Sequence, residues 1–590
     1  MHVIATAGHV DHGKSTLIRA LTGMEPDRWA EERRRGLTID LGFAWTTLPA
    51  GEVLAFVDVP GHERFVPNML AGIGPVPAAL VVVAADEGWM PQSAEHLAAL
   101  DALEVRHGLL VVTRCDLAEP GPAREEALAA LAGTSLRGAP AVAVSAATGQ
   151  GMDALRSQLA ALAGRLPIPD AAADVRLWVD RSFTIGGAGT VVTGTLAEGT
   201  LRRGDTLVTS AGRQVRVRGL QSLGRAVDEA PGVARVAVNL RGVERSGIGR
   251  GDALLTPGAW QATGVVDVAL RGDPAEDLPS ELVLHTGSAA VPVRVRPLEV
   301  ETARLRLSRP LPLRVGDRAL LRDPGRHRIA SGVVVLDVAP PELRRRGAGR
   351  GRAAELDELI DAEDAAERAA RLQLRHRGVL RAGELAAMGL PASGEPLPGG
   401  FHADPAHWAG LREQVGPQVA EWQAAHPLEP GVPAETVRQW FDLPDIRLVD
   451  ALVAAAGLSA ADGRVLPPGA EPGLPPRVEL ALRELTEELT AKPFTAPEAD
   501  RLAELGLGSR EIAAAVRAGR LLRIAPGVVL LPGAQERARE LLRALPQPFT
   551  LSAARQALGT SRRVAVPLLE LMDRSGATVR LPDSTRELRG

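Results

Sequence analysis

The sequence predicts a multidomain protein: an α/β domain comes first, two β-barrels follow, and an arm of small α+β modules ends the chain. Three observations predict this order. Apolar strands alternate with helical patterns up to about residue 170, short Val-rich strands with Gly-containing turns fill residues 172–338, and helical segments dominate beyond residue 353. With 590 residues, of which 45% are apolar, the chain is long enough for several hydrophobic cores.

The first domain opens with a predicted phosphate-binding loop. Residues 8–15 read GHVDHGKS and fit GxxxxGK[ST] at every fixed position, between the apolar strand His2–Ala7 and a helix that begins at Ser15. Lys14 is one of two lysines in a chain that otherwise uses arginine as its strongly basic residue. A compact ammonium group reaches between phosphate oxygens where a planar guanidinium does not fit. The predicted nucleotide-binding residues here are Gly8, His9, Val10, Asp11, His12, Gly13, Lys14, Ser15 and Thr16.

Further motifs follow in the order that a GTPase requires. Residues 35–40 read RGLTID, and we expect the Thr38 hydroxyl to bind Mg²⁺ together with that of Ser15. Residues 58–62 read DVPGH, in which Asp58 would hold a magnesium-bound water and the Gly61 amide would bond the γ-phosphate. Parallel strands carry ligands at their C-terminal ends, which is where these motifs lie.

The predicted base-recognition loop reads TRCD at residues 113–116. Asp116 can accept both N1–H and N2–H of guanine, a donor pair that adenine lacks, so GTP and GDP are the expected ligands. Thr113 and Arg114 replace the Asn and Lys of the usual Asn-Lys-x-Asp loop. We expect Arg114 to lie along the base plane and Thr113 to bond the loop backbone. Ser145 and Ala146 follow another strand and would offer a backbone N–H to guanine O6.

His62 is the candidate catalytic residue. Phosphoryl transfer to water needs a polar group that orients the water against the γ-phosphate, and His62 directly follows Gly61. The alternative is a surface histidine on a mobile loop.

These motifs, with DEGWMPQSAEH at Asp86–His96, resemble the translational GTPases of the elongation factor Tu class. RGLTIDLGFAW at residues 35–45, NMLAG at residues 68–72 and the Thr that opens the guanine loop resemble, more narrowly, the selenocysteine-specific elongation factors (SelB). The resemblance covers about 340 residues. It implies a ribosome-stimulated GTPase that delivers selenocysteinyl-tRNA to the ribosome at recoded UGA codons.

The same resemblance implies a selenocysteine pocket in the first barrel. Asp180 and Arg181 in DRSFTIGGAGTVVTGT match the family's motif, and Arg235 in ARVAVN matches a third position. A selenol is largely ionised at neutral pH, so arginine attracts it more strongly than a neutral serine hydroxyl. The alternative pairs Arg181 with Asp180 on a sheet face and leaves Arg235 solvated.

The basic segment PPELRRRGAGRGR indicates a linker whose arginines either touch RNA or keep the strand solvated. Helices are predicted beyond it, among them Ala353–Arg371 and Arg375–Met388, in modules with short β-wings. The predicted domains are the P-loop GTPase domain 1–170, barrels at 172–258 and 260–340, the linker 341–353 and tandem winged-helix modules at 354–590.

The last module, about residues 541–590, predicts a winged helix. Ser552–Leu558, a turn at Gly559 and a helix from about Ser561 give helix–turn–helix geometry, and Val579–Arg589 indicates a hairpin wing. This module holds eight arginines against four acids in a chain of net charge −4, which indicates a local nucleic-acid surface. The resemblance implies an mRNA hairpin as its target. The candidate contacts are Arg555, Arg562, Arg563 and Arg580, with ordinary solvated arginines as the alternative.

A single cysteine excludes a disulfide framework, and no run of 18 apolar residues occurs. We therefore expect a cytoplasmic monomer with no membrane partner. Two other functions stay open. A general aminoacyl- or initiator-tRNA carrier would not need the C-terminal extension of about 250 residues. A GTP-switched regulator that binds nucleic acid is the second.

Overall fold

The computed structural model describes residues 1–26, 40–49, 51–62, 65–74, 76–186, 189–345, 347–467 and 474–589. Contacts divide the chain into two compact units, Met1–Gly394 and Glu395–Gly590.

The first domain is a six-stranded sheet of order β2-β3-β1-β4-β5-β6, in which β2 is antiparallel to β3 and the other neighbouring strands are parallel. One face packs against α1 and α5 and the other against α2, α3 and α4, which is why the central strands are apolar throughout. The elements are β1 His2–Ala7, α1 Lys14–Thr22, β2 Gly42–Thr47, β3 Val53–Asp58, α2 Val66–Ile73, β4 Ala78–Ala84, α3 Pro91–Ala102, β5 His107–Thr113, α4 Pro120–Leu131, β6 Ala141–Ala143 and α5 Met152–Ala163.

Two β-barrels follow, as predicted. The first closes in the order β11-β16-β7-β9-β15-β12 through pairing of β12 with β11, and the second in the order β17-β20-β19-β18-β21-β22. The strands of the first are β7 Arg176–Trp178, β8 Arg181–Ile185, β9 Gly189–Leu196, β10 Thr200–Arg202, β11 Thr206–Thr209, β12 Gln214–Ser222, β13 Arg225–Val227, β14 Glu229–Pro231, β15 Ala234–Arg241 and β16 Ala253–Leu255. Those of the second are β17 Ala262–Gly272, β18 Glu281–Thr286, β19 Ala289–Pro297, β20 Thr302–Pro312, β21 Arg318–Asp323 and β22 Arg328–Asp337.

The segment after the second barrel differs from the prediction. The predicted linker 341–353 is wrong in its last part, because helix α6 begins at Ala348. The predicted single helix Ala353–Arg371 is also wrong, because the chain turns between two helices where Asp361 has a φ of 55°. The predicted helix Arg375–Met388 likewise contains a short strand. The elements are α6 Ala348–Asp357, α7 Ala365–Arg377, β23 Val379–Arg381 and α8 Ala382–Ala387.

Arg352 explains why the linker prediction failed. Its guanidinium is buried against the second barrel, where Nε donates to Asp267 Oδ2 at 2.7 Å and Nη2 donates to Asp337. Arg304 donates to both oxygens of Asp267, from Nε to Oδ1 at 2.7 Å and from Nη2 to Oδ2 at 2.9 Å. Burial raises the pKa of Asp337, an effect that the Arg352 charge opposes. Arg352 thus neither touches RNA nor keeps the chain solvated, since it compensates two buried carboxylates.

The second unit consists of helices followed by short hairpins. Its elements are β24 Glu395–Leu397, β25 Phe401–Ala403, α9 Pro405–Ala425, β26 Val432–Pro433, α10 Ala434–Trp440, α11 Arg447–Ala455, β27 Ser459–Ala461, β28 Arg464–Leu466, α12 Pro476–Ala491, α13 Ala499–Glu504, α14 Ser509–Arg517, β29 Leu522–Ala525, β30 Val528–Leu530, α15 Ala534–Arg543, α16 Leu551–Ala557, α17 Arg562–Arg574, β31 Thr578–Arg580 and β32 Arg586–Leu588. None of the helices in the described ranges is long and apolar enough to cross a membrane.

The last winged helix has the predicted form. Helices α16 and α17 flank a turn at Gly559, β31 and β32 form the wing, and Leu568 and Met572 of α17 are buried. These side chains share one hydrophobic core with Leu485 and Val529 of the preceding module. The two modules are therefore a single packing unit.

Candidate functional site

The loop between β1 and α1 has the conformation of a phosphate-binding loop. Gly8 has a φ of +141°, and a Cβ atom there would collide with the Val82 carbonyl. Lys14 is buried at the start of α1, and its Nζ donates to the carbonyl oxygens of Gly8 and His9 at 2.9 and 2.6 Å. The ammonium group therefore lies over the loop, beside a helix N-terminus that favours anions. Residues 9–13 complete the loop, and Ser15 and Thr16 lie in the first turn of α1.

Two side chains of α3 hold this loop, and neither is among the residues that the sequence motifs predict for the site. The Gly8 N–H donates to His96 Nδ1 at 2.9 Å, and the Val10 N–H donates to Gln92 Oε1 at 3.1 Å. Burial lowers the pKa of His96 to about 3, so the imidazole is neutral near pH 7 and Nδ1 can accept. The four-residue spacing of two polar side chains on one helix face was the available signal.

Ser15 and Asp58 lie together as a magnesium site requires. The Ser15 hydroxyl donates to Asp58 Oδ2 at 2.7 Å, and the Thr6 hydroxyl donates to Asp58 Oδ1 at 2.8 Å. Mg²⁺ usually takes one or two protein oxygens and completes its shell with water and phosphate oxygens, so these residues fit the ion. Thr38, the other predicted ligand, lies outside the described residues.

Gly61 closely approaches the phosphate-binding loop. A Cβ atom on Gly61 would lie 2.5 Å from Lys14 Nζ and 2.6 Å from the Val10 nitrogen. Its backbone is therefore beside the predicted position of the outermost phosphate. The next residue, His62, is half-buried, and its ring centre lies 5.9 Å from that of Phe65.

The guanine loop is tied to the phosphate-binding loop by its two unusual residues. The Thr113 hydroxyl donates to the His12 carbonyl at 2.8 Å, so its partner is the backbone of the phosphate-binding loop and not that of the guanine loop itself. Arg114 Nη1 lies 3.0 Å from Asp86 Oδ2 and 2.9 Å from Glu87 Oε1, while Nη2 donates to the Asp11 carbonyl. Burial lowers the pKa of Arg114, but bonds to Glu87 and Asp86 outweigh burial and raise it. The guanidinium of Arg114 thus binds two carboxylates and the backbone of the phosphate-binding loop, and its place along the base plane stays a prediction.

The remaining predicted base contacts lie at the same edge of the sheet. Asp116 is exposed just beyond β5, and Ser145 is buried just beyond β6. The Ser145 hydroxyl accepts the Thr148 N–H at 3.2 Å, which fixes the turn that contains Ala146. Since β5 and β6 are parallel neighbours, the two loops flank one cleft.

The predicted pocket residues Asp180, Arg181 and Arg235, here called the arginine pocket, lie where the first barrel meets the first domain. Arg235 binds Asp180 through both terminal nitrogens, with Nη2 2.8 Å from Oδ1. Arg181 turns away from Asp180: its Nε lies 3.0 Å from Asp40 Oδ2, and Nη2 donates to the Leu41 carbonyl. The alternative of an Arg181–Asp180 pair with a solvated Arg235 is therefore wrong, since the Arg235 side chain is only 13% exposed.

The arginine pocket borders a cavity of about 170 Å³ with an aromatic wall. The Phe43 ring of β2 lies 3.8 Å from the Arg235 guanidinium carbon and 5.5 Å from that of Arg181. Both arginines therefore make cation–π contacts with a residue of the first domain. Apart from its place in the family-like segment 35–45, nothing in the sequence marks Phe43 as part of this site.

The C-terminal arginines divide into two groups. Arg555, Arg562 and Arg580 are exposed. Arg563 donates to the carbonyl oxygens of Pro497 and Gly527, both at 3.1 Å, and pairs with Glu498. Arg563, a candidate hairpin contact, is therefore engaged by protein groups and is not an ordinary solvated arginine, because α17 packs against the preceding module.

Three family profiles match parts of the chain. The elongation factor Tu GTP binding domain matches residues 1–165, the selenocysteine-specific elongation factor β-barrel domain matches residues 268–342, and the elongation factor SelB winged helix matches residues 540–586.

Whole proteins agree with these profiles. The selenocysteine-specific elongation factor of Desulfomicrobium baculatum is 40% identical over 360 residues, which cover 58% of this chain and 57% of that protein. The chain thus matches little more than half of that relative's length. Elongation factor Tu 2 of Streptomyces avermitilis is 33% identical over 43% of this chain and 72% of its own. A crystal structure of a bacterial selenocysteine-specific elongation factor, EF-Sec, covers 100% of both chains with a TM-score of 0.75 and 27% identity. The chain belongs to the translational GTPases of the elongation factor Tu class, and its second β-barrel and last winged helix match those of the selenocysteine-specific elongation factors.

Proposed function

We propose that this protein is a GTP-dependent carrier that delivers selenocysteinyl-tRNA to the ribosome at recoded UGA codons. The observation that supports this proposal most directly is that one chain contains three parts: a phosphate-binding loop with Lys14, the arginine pocket and a C-terminal winged helix of the SelB type. The relatives at similar length are named for selenocysteine-specific elongation. A general carrier or a DNA-binding regulator would not need all three parts.

The nucleotide is GTP or GDP, held by residues 8–16 and by the guanine loop. Asp116 selects guanine, Thr113 and Arg114 brace its loop, and Ser145 and Ala146 border the base. Mg²⁺ would be held by the Ser15 and Thr38 hydroxyls and, through water, by Asp58. When bound, the ion neutralises charge on the phosphates.

His62 orients the attacking water. The histidine directly follows Gly61, whose backbone lies beside Lys14, so a modest turn of the loop brings the imidazole to the γ-phosphate. Transfer to water needs a positioned polar group more than covalent chemistry, and an imidazole supplies it. The ribosome is the partner that would set the histidine in place.

The arginine pocket receives the selenocysteine side chain. A selenolate carries a charge at neutral pH, whereas a serine hydroxyl does not, so two partly buried guanidinium groups favour the former. The Asp180 carboxylate holds the guanidinium of Arg235 in one orientation, so the Arg235 side chain loses less rotational freedom when the selenocysteine side chain binds.

The last winged helix binds an mRNA hairpin, with Arg555, Arg562 and Arg580 as its contacts to phosphates. An A-form major groove is too narrow for a helix, so a hairpin loop and its flanking backbone are the expected target. The protein would act as a monomer in the cytoplasm.

Filter binding of selenocysteinyl-tRNA and seryl-tRNA to the GTP-bound chain tests this function. We expect selenocysteinyl-tRNA to bind at least tenfold more tightly, and Arg235→Met to remove most of the difference. Equal binding of the two tRNAs would favour a general carrier. A preference of the full chain for duplex DNA over an RNA hairpin would favour a regulator.

A further inference from the structure

We propose that Asp86 and Glu87 are positioning residues of the nucleotide site: their carboxylates hold the Arg114 guanidinium and so allow an arginine to replace the lysine that is usual in the guanine loop. This inference deepens the proposed function and rests on it, since it concerns GTP and GDP bound beside Arg114. Neither carboxylate is among the residues that the sequence motifs predict for the site.

The order of the strands places the two carboxylates between the loops that hold the nucleotide. The phosphate-binding loop follows β1 and the guanine loop follows β5, and β4 pairs with both of these strands in parallel. Asp86 and Glu87 lie just beyond the end of β4 at Ala84. Since parallel neighbours end at the same edge of a sheet, the segment after β4 is within reach of both loops.

Arg114 uses the two ends of its guanidinium in different directions. Nη1 lies 3.0 Å from Asp86 Oδ2 and 2.9 Å from Glu87 Oε1, while Nη2 donates to the Asp11 carbonyl of the phosphate-binding loop. A lysine ammonium is a compact charge that one carbonyl can satisfy, whereas a planar guanidinium presents donors on more than one side. The carboxylates therefore bind the donors that an arginine has and a lysine lacks.

Glu87 also reaches the phosphate-binding loop. Its Oε2 lies 3.4 Å from Nε2 of His12, whose ring is fully buried. Burial lowers the pKa of His12 to about 4, so the imidazole is neutral near pH 7 and does not compensate the Glu87 charge. Arg114 is thus the cation that balances this carboxylate, and one acidic side chain touches both loops.

The carboxylates order the Arg114 side chain before the nucleotide binds. A long side chain that is free in solvent samples many rotamers, and fixing it on binding costs free energy. The Arg114 side chain is 29% exposed and has ionic partners on two neighbouring residues. If it lies along the base plane as predicted, less of its freedom is lost when guanine arrives, and the nucleotide binds more tightly.

The test measures the dissociation constants of GTP and GDP by calorimetry on the full chain, in two backgrounds. Asp86→Asn combined with Glu87→Gln removes both charges and keeps the size of both side chains. In the unmodified background we expect both nucleotides to bind about 5- to 12-fold more weakly, as the ordering of one long side chain requires. In the Arg114→Lys background the same two substitutions should change binding by less than about twofold, because the ammonium needs only the Asp11 carbonyl.

Glu126→Gln is the matched control. Glu126 Oε2, on helix α4, accepts the Trp89 N–H at 3.1 Å, so this side chain holds the same segment from its other end. The substitution should leave both dissociation constants within about twofold of the unmodified chain. A loss as large as that of the double variant would mean that any disturbance of the segment weakens binding, and would overturn the inference.

Three further results would overturn it. An equal loss in the two backgrounds would mean that the carboxylates do not act through Arg114. A loss confined to GTP would place the effect at the γ-phosphate rather than at the base, and unchanged binding in the unmodified background would remove the positioning role. In each of these cases the unmodified chain still binds GTP and GDP, and the proposed function stands. If the unmodified chain binds neither nucleotide, the proposed function fails, and this inference with it.

Discussion

Gly61 lies so close to Lys14 that a Cβ atom on the glycine would be 2.5 Å from the lysine Nζ. The substitution Gly61→Ala must therefore displace the ammonium group or the Val10 backbone. We expect weaker GTP binding by about 5- to 150-fold, which corresponds to the roughly 1–3 kcal/mol of an overpacked site. Isothermal titration calorimetry measures the change. Gly121→Ala, where no atom lies within 4 Å of the new Cβ, should bind GTP like the unmodified chain.

His62→Ala separates hydrolysis from binding. The phosphate-binding loop is held by Lys14, Gln92 and His96, so GTP affinity should stay within about twofold. Ribosome-stimulated hydrolysis should fall by about 100-fold or more, or roughly 3 kcal/mol of barrier. Single-turnover phosphate release with saturating ribosomes checks this, and unchanged turnover would refute the catalytic role.

His96 predicts a pH dependence of stability. Burial lowers its pKa to about 3, against a usual value of about 6.5 in the unfolded chain. Since the unfolded state binds the proton more readily, stability is complete above about pH 6.5 and falls as the pH drops toward 3. His12 and His285, whose pKa burial lowers to about 4, act in the same direction.

His96→Asn keeps an acceptor near the position of Nδ1 but cannot titrate. Between pH 6.5 and 4.5, the free energy of unfolding of this variant should therefore decrease less than that of the unmodified chain. The expected difference is up to about 1.4 kcal/mol for each pH unit. Urea unfolding at several pH values gives both slopes, and parallel slopes would mean that His96 does not titrate in this way.

Arg562 and Arg563 are adjacent but should behave differently. Arg562→Ala should lower the slope of log K against log salt for hairpin binding by about 0.7–0.9, as loss of one phosphate contact requires. Arg563→Ala should instead reduce stability by about 1 kcal/mol, because its partners are protein groups at a partly exposed site. Salt titrations and thermal unfolding of the full chain distinguish the two, and the reverse assignment of effects would contradict the structure.

Arg352→Ala should destabilise the first unit by about 3–5 kcal/mol, because it leaves the carboxylates of Asp267 and Asp337 buried with fewer partners. Arg350→Ala, two residues earlier on the same helix, removes a side chain that is 89% exposed and should change stability by less than about 0.5 kcal/mol. Denaturant unfolding measures the free energy of unfolding of both variants. Similar losses in the two would show that the ion pairs of Arg352 with Asp267 and Asp337 do not stabilise the first unit.

The sequence predicts the parts of this fold whose signals are local. The phosphate-binding loop, the strands that end at Asp58 and Thr113, and the last helix–turn–helix each follow from a motif with periodic apolar neighbours. The structure confirms the α/β domain, the two barrels and the winged helix. Apart from the end of the linker, where helix α6 begins at Ala348, the predicted domain boundaries stay predictions, and so do the roles of the site residues.

What the sequence misses depends on partners that are distant in the chain. Arg352 looks like any other arginine of a basic segment until the barrel places Asp267 and Asp337 around it. Arg563 is likewise indistinguishable from Arg562 until Glu498 and Pro497 are brought beside it. The partner of Arg181 is also non-local, since Asp40 lies in another domain. Charge counting finds such residues but cannot assign their partners.

The last two modules share one hydrophobic core, and this determines which residues must be kept together if the last winged helix is moved to another protein. Leu485 and Val529 on one side and Leu568 and Met572 on the other bury one another, so a cut between residues 530 and 534 would expose half of that interior. A fusion that carries the last winged helix into another protein should therefore include residues 476–589 as a whole, and the shorter piece 540–589 should aggregate on expression.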